Sequence, residues 1–338
     1  MPMPWSCRRS QPKARSVAER HPLTPGKARG LAATSSSEGV FAMLAVDHRD
    51  SLRVVLDPEE PDRITASALT QLKLELLAAL AGDATAVMLD PEYSAAQAIV
   101  ARALPGSVGF LVAVEAQGYL GDPEARQTSV LEGWSVAKAK RLGANGIKLL
   151  VLYRPDGGAV TEDQDRTISE VVADCAREDI PLFLEPLLYE WDEGSLDGRR
   201  ALVVETVRRL GALEPDVLKV QFPLDVTQEP DRAAWQDACA ELDDVAPVPW
   251  ALLSGGGSYE SFRDQVEVAC SAGASGFMVG RALWGDYVAA PSAARSELMR
   301  TTIRPRLAEL VAIARAQGRD WARLHTLGPV DEHWFKTY

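Results

Sequence analysis

A chain of 338 residues, 46% hydrophobic and 25% charged, has the composition of an ordinary globular protein and enough apolar side chains for a sizeable core. Its 36 Lys and Arg against 48 Asp and Glu leave a formal charge of −12, which argues against a general nucleic-acid or anionic-membrane surface. No stretch approaches the roughly 18–20 uninterrupted apolar residues of a membrane span.

Residues 1–30 stand apart: Arg8, Arg9, Lys13, Arg15, Arg20, Lys27 and Arg29 face Glu19 alone. They lack the apolar central run of a secretory signal, and they read as a basic, disordered extension. Thr24-Pro25 has the form of a helix cap followed by proline at the first helical position, so order is expected to begin there. Cys7, Cys175, Cys239 and Cys270 form no Cys-x-x-Cys pair, which fits idle thiols in a reducing compartment, the cytoplasm.

From residue 41 onward one unit repeats: a short apolar β-rich run, a polar or glycine-containing loop, then an amphipathic stretch. Strands are expected at 41–46, 85–89, 108–114, 146–152, 181–184, 217–220, 250–253 and 276–279. Helices are expected at 64–81, 92–103, 129–142, 163–178, 199–212, 231–242, 259–272 and 293–316. Runs such as AVML and IKLLVL are apolar at nearly every position, as strands buried on both faces of a parallel sheet must be. Leu142-Gly143, Leu210-Gly211 and Ala272-Gly273 fit glycine-terminated helices. Eight such units in residues 31–338 predict a single (β/α)8 TIM barrel. An open doubly wound sheet is the rival, but the first strand ends in Val46-Asp47-His48-Arg49 with no glycine-rich turn.

Chemistry in such a barrel gathers at the C-terminal ends of the strands. Those ends carry Asp47 and His48, Asp90, Glu115, Glu185, Ser254 and Arg281, with Lys148 and Lys219 inside otherwise aliphatic strands. A lysine in that setting must snorkel or face a polar cavity, and if desolvated its pKa falls. Two strand lysines with Glu185 on the intervening strand point to an amine that attacks a carbonyl, with a carboxylate to move protons. Ser254-Gly255-Gly256-Gly257 and Gly280-Arg281 close the last two strands, where barrels often hold phosphate on glycine N–H groups, and Arg281 adds a fork-shaped cation. Asp47, Asp90 and Glu115 offer oxygen donors for Mg²⁺, but His48 is the only histidine at the strand ends, and a metal-free Schiff-base route fits better.

The segments Leu-Ala-Val-Asp47-His48-Arg49, Val-Met-Leu-Asp90-Pro91-Glu92-Tyr93, Ala-Asn-Gly-Ile-Lys148, Phe-Leu-Glu185, Asp-Val-Leu-Lys219-Val and Val-Gly280-Arg281-Ala-Leu-Trp284 together resemble the class I tagatose-1,6-bisphosphate aldolases. The related sulfofructose-phosphate aldolases share much of the pattern. The resemblance runs in order from about residue 38 to about residue 325. It implies a (β/α)8 fold that splits a ketose phosphate without metal or cofactor. Lys219 is implied as the Schiff-base lysine, Glu185 as the proton-transfer residue and Lys148 as the electrostatic assistant. Asp47 and His48 fall at a substrate-hydroxyl position, and Ser254, Gly255, Gly256, Gly280 and Arg281 around a phosphate. Family members suggest a homodimer or homotetramer. The chain departs from the family at 47–49, where Asp-Gln-Arg is usual, and at Gln221, where the family carries glutamate. Other phosphorylated substrates of the same chemistry (a sulfofructose phosphate or a deoxy-keto-gluconate phosphate), a phosphosugar isomerase or epimerase, and a non-catalytic sugar-phosphate sensor are the alternative readings.

Overall fold

The computed structural model describes residues 21–189, 196–336 and 338. In chain order its first half contains β1 (His21–Leu23), α1 (Pro25–Thr34), β2 (Phe41–Ala45), α2 (Asp50–Leu56), α3 (Ala66–Leu80), β3 (Ala86–Leu89), α4 (Ala95–Val100), β4 (Gly109–Ala113), α5 (Val136–Leu142), β5 (Gly146–Tyr153) and α6 (Ala159–Arg177). There follow β6 (Leu182–Leu188), α7 (Leu196–Gly211), β7 (Val217–Val220), α8 (Arg232–Val245), β8 (Trp250–Leu253), α9 (Tyr259–Ala272), β9 (Gly276–Val279), α10 (Arg281–Ala289), α11 (Ser292–Leu298), α12 (Arg304–Gln317) and β10 (His325–Leu327). Strands β2 to β9 pair in sequence order, all parallel, and β9 returns to β2 to close the expected TIM barrel.

The alternation of side chains along each strand sorts the barrel into two apolar zones. Phe41, Met43, Ala86, Met88, Leu111, Phe183, Val217, Ala251 and Met278 fill the interior. Residues of opposite parity, such as Ala42, Leu44, Val87, Val112, Ile147, Leu149, Leu184, Leu218 and Leu252, face the helical layer. The interior is therefore packed through its lower half, and the next inward positions up each strand stand on an apolar floor. Closure is tight: Gly276 has φ +123°, and a side chain there would run into the Phe41 carbonyl.

The chain is ordered earlier than the basic extension over 1–30 implies. Thr24 caps α1, its Oγ1 accepting the Lys27 N–H, with Pro25 following as expected. Leu31 is buried, and β1 pairs in parallel with β10, so residues 21–30 belong to the fold. Residues 1–20, including Cys7, lie outside the described residues. Leu23, Leu31 and Trp321 complete the interior cluster from the end where the strands begin. Lys27 pairs there with Asp216 at 2.9 Å, and Asp216 also accepts the Leu182 N–H at 2.8 Å. Cys175, Cys239 and Cys270 are buried free thiols whose pKa values are pushed up by burial.

Several expected elements differ in extent. The fifth barrel strand runs to Leu188 rather than ending at 184, because Pro186 sits in register opposite Val151 without interrupting the ladder. The helix expected over 129–142 begins only at Val136, where Ser135 caps it. The helix expected over 293–316 is a chain of α11, a π-helical turn at Met299–Ile303 and α12, preceded by the separate helix α10. Among the described residues no helix is long and apolar enough to cross a membrane.

Candidate active site

A cavity of about 570 Å³ opens at the C-terminal ends of the barrel strands. Asp47, His48, Lys148, Glu185, Lys219, Ser254, Gly255, Gly256, Gly280 and Arg281 all line it. Strand periodicity explains the convergence. Lys219 lies two residues above Val217 and Glu185 two above Phe183, so both point inward from the apolar floor. Phe183 pairs with Val217 and Leu184 with Leu218, which sets Glu185 level with Lys219 on adjacent strands.

Lys219 Nζ is 2.7 Å from Glu185 Oε1, and the other Glu185 oxygen is 3.3 Å from Lys148 Nζ. Glu185 thus bridges the two amines. Lys148 also reaches Asp47 Oδ2 at 2.9 Å and donates to Glu115 Oε1. The second Glu115 oxygen accepts the Leu150 N–H at 3.1 Å, which fixes that carboxylate against β5. All four side chains are almost wholly buried, and so is Lys219.

On the part of the rim between β7 and β2, Gly280 caps α10 and Arg281 is that helix's first residue. Gly280 N–H donates to Ser254 Oγ at 3.3 Å. Gly256, at φ +83°, leaves room for the guanidinium of Arg281: a Cβ there would stand 3.3 Å from Nη2. Arg281 Nε is buried without a hydrogen-bond partner among the described residues. A glycine-lined helix start beside an under-used guanidinium is a ready anion site.

A model of the DeoC/LacD aldolase family matches residues 41–286. The chain belongs to that family. It is an aldolase, a carbon–carbon lyase. "Tagatose 1,6-diphosphate aldolase 1" of Streptococcus mutans is 29% identical to it over 328 residues, 88% of this chain and 98% of the relative. "Tagatose 1,6-diphosphate aldolase 2" of Streptococcus pyogenes serotype M3 is 31% identical over 300 residues, 79% of this chain and 88% of the relative. Among solved structures, an archaeal fructose 1,6-bisphosphate aldolase superposes with a TM-score of 0.58 at 18% identity, covering 85% of this chain and 98% of that one. Another, in which the catalytic Lys is covalently bound to the carbinolamine intermediate, gives 0.55 at 18% identity, covering 85% and 98%. At such identity these two speak for the fold alone.

Electrostatics fix the charge of Lys148 in the aldolase's cavity. Burial by itself would lower the Lys148 pKa, as expected of a strand lysine, but Asp47, Glu115 and Glu185 push it well above the ordinary value. Lys148 is therefore a fixed cation, contrary to the expectation of a depressed amine at that position. Burial alone would raise Asp47 and Glu185, but Lys148 and Lys219 hold both carboxyls below their usual range. His48 is pulled down to about 4, first by burial and then by Arg281 and Lys219 against the opposing pull of Asp47, so its ring is neutral. It stands edge-on to Trp284 at 5.2 Å, with Nδ1 buried 3.9 Å from Asp47 Oδ1.

Asp90 is not part of this aldolase's cavity. It is buried against Lys73 and accepts Ser94 Oγ–H and the Glu92 and Tyr93 N–H groups. The three oxygen donors weighed for Mg²⁺ do not form one cluster among the described residues: Asp90 pairs with Lys73, and Asp47 and Glu115 contact the ammonium of Lys148. Gln221 accepts the Leu188 N–H at 2.8 Å and braces the end of β6.

Sequence reasoning passed over the segment between β4 and α5. It forms a hairpin in which Ala116 N–H donates to Ser129 O and Leu120 pairs with Gln127. Its residues Gln117, Tyr119 and Arg126 line the cavity. The alternation Glu115-x-Gln117-x-Tyr119 was the available signal, hidden by the helix expected from 129.

Proposed function

We propose that this aldolase is a class I enzyme that cleaves a ketohexose bisphosphate, tagatose 1,6-bisphosphate, to glycerone phosphate and glyceraldehyde 3-phosphate. The observation that carries the reading is Glu185 held 2.7 Å from Lys219 Nζ while Lys148 grips its other oxygen at 3.3 Å.

Attack on a ketone requires the uncharged amine. Glu185 is the group placed to take the Lys219 proton, and the Lys148 cation keeps that carboxylate ionised until it does. The Lys219 nitrogen adds to C2, and Glu185 returns a proton to the departing hydroxyl, so water leaves and an iminium forms. A base removes the proton of the C4 hydroxyl. The C3–C4 bonding pair then moves toward the iminium nitrogen, releasing glyceraldehyde 3-phosphate and leaving an enamine. Protonation at C3 and hydrolysis release glycerone phosphate and restore Lys219. Asp47, oriented by Lys148, and neutral His48 contact substrate hydroxyls; Ser254, Gly255, Gly256, Gly280 and Arg281 hold the C1 phosphate. No resident metal or cofactor is invoked, since the convergence point of three carboxylates is already filled by an ammonium. The net charge of −12 fits an enzyme of small metabolites that does not bind nucleic acid. The buried free thiols fit a reducing compartment, the cytoplasm, and the family resemblance a homodimer or homotetramer.

Borohydride reduction in the presence of glycerone phosphate, followed by peptide mass mapping, tests the reading. The expected result is a reduced adduct on Lys219. No adduct, or one on a different lysine, overturns it.

A further inference from the structure

The hairpin of residues 116–129 rises from the end of β4. In a closed ring of eight strands, β4 lies four places from β8 in either direction. The hairpin therefore stands across the mouth from Ser254 and the glycine loop that follows β8. Between these two walls lie Lys148, Glu185 and Lys219, on β5, β6 and β7. The hairpin wall carries a cation of its own: Arg126 lines the cavity, its guanidinium 4.8 Å from the ring centre of Tyr119 and 5.4 Å from that of Tyr189. Its Nε–H donates to Pro123 O at 2.8 Å within the hairpin. Aromatic faces and a backbone carbonyl fix the plane and direction of the guanidinium, which reduces the entropy lost when it engages an anion. Gln117 and Ser51 line the same side.

We propose that Arg126, held by Tyr119 and Tyr189, is the specificity residue for the second anionic end of the substrate, the C6 phosphate. The inference rests on the ketose-bisphosphate reading above. With Lys219 bonded to C2, the C1 phosphate lies one carbon away, in the Ser254–Arg281 pocket. The remaining four carbons must then extend past Glu185 and Lys148, and their terminal phosphate arrives at the opposite wall. A carboxylate or a neutral tail would leave the guanidinium with a weaker partner, so the subsite selects a bisphosphate over a ketose 1-phosphate. The chemical steps are borne by strand residues and the choice of tail by the hairpin.

Arg126→Gln, which keeps a polar hydrogen-bonding side chain but shortens it and removes the charge, tests this. Steady-state cleavage of a ketohexose 1,6-bisphosphate and of the matching ketohexose 1-phosphate would be compared, with the rate of borohydride trapping by glycerone phosphate as a control. The bisphosphate is expected to lose about 10- to 100-fold in kcat/KM, chiefly through KM, the scale of a lost charge-assisted hydrogen bond. Cleavage of the 1-phosphate and the trapping rate are expected to stay within about twofold of the unaltered enzyme, and Arg126→Lys is expected to recover part of the loss. Equal losses on both substrates, or no loss on either, with trapping intact, would overturn the subsite and leave the aldolase reading standing. Absence of trapping in the unaltered enzyme would bring down both.

Discussion

Replacing Lys148 by methionine keeps an unbranched chain one atom shorter and removes the cation that three buried carboxylates share. At an effective dielectric of ~20, a contact at the 2.9 Å of Asp47 or the 3.3 Å of Glu185 is worth about 5 kcal/mol before desolvation. Stranding one side of a buried charge cluster costs about 3–5 kcal/mol in net terms. That loss is expected near pH 8, where Lys148 with its raised pKa is fully charged. The pH dependence is the sharper test. In the native protein Asp47 and Glu185 have depressed pKa values, so their contribution is present above the unfolded carboxylate pKa of about 4 and is lost as pH falls below it. In Lys148→Met the carboxylates crowd one another, at least one folded-state pKa rises above its unfolded value, and the folded state binds more protons than the unfolded. The variant therefore regains about 1–2 kcal/mol between pH 8 and pH 5.5. Urea titrations followed by the fluorescence of buried Trp250 and Trp284 would read the midpoints at both pH values. A deficit below about 1 kcal/mol at pH 8, or one that does not shrink at pH 5.5, would refute the reasoning.

Gly280→Ala places a Cβ 2.6 Å from His48 Cε1. KM is expected to rise about tenfold, from the roughly 1–3 kcal/mol of overpacking, and the same substitution is expected to cost less when introduced into a His48→Ala background, as read by a double-mutant cycle. Arg281→Lys exchanges a fork for a point charge beside Gly256 and is expected to weaken competitive inhibition by glycerone phosphate about 10- to 100-fold. The His48 ring titrates at about 4, below the ordinary histidine value, so NMR shifts of its ring are expected to be flat from pH 5.5 to 8; a midpoint near 6.5 would contradict the burial argument. Turnover is expected to be unchanged after exhaustive chelation, and a loss restored by added divalent ion would count against the Schiff-base route.

The barrel was legible because its signal is local. Each strand is a short aliphatic run, and most observed bounds fall within a residue of those expected. What escaped depends on distance in sequence or on residues that argue against themselves. The expected strand at 181–184 stops short of the observed one, which continues to Leu188 with Pro186 held in register opposite Val151. The α10 helix carries apolar residues on several faces because it is buried against α2 and α9, so no amphipathic stripe marked it. In the site, Lys148, Glu185 and Lys219 could be grouped from strand order alone. The fixed charge of Lys148 could not be read there, since it depends on Asp47 and Glu115 closing on it from just past the ends of two other strands. The commitment of Asp90 to Lys73 is equally invisible in a linear string, for the lysine arrives from a helix seventeen positions earlier.

Asp216 ties the far end of the molecule to its chemistry. It receives Lys27 from α1, the Leu182 N–H at the foot of β6, and, through its carbonyl, His325 of β10. Glu185 and Lys219 each stand three residues up from that single mooring. Pleated strands transmit a displacement along their length with little give, so the separation of proton acceptor and nucleophile is set in part by a knot tied on the side that substrate never visits. Losing α1 would take Lys27 from that knot and Leu31 from the barrel interior together.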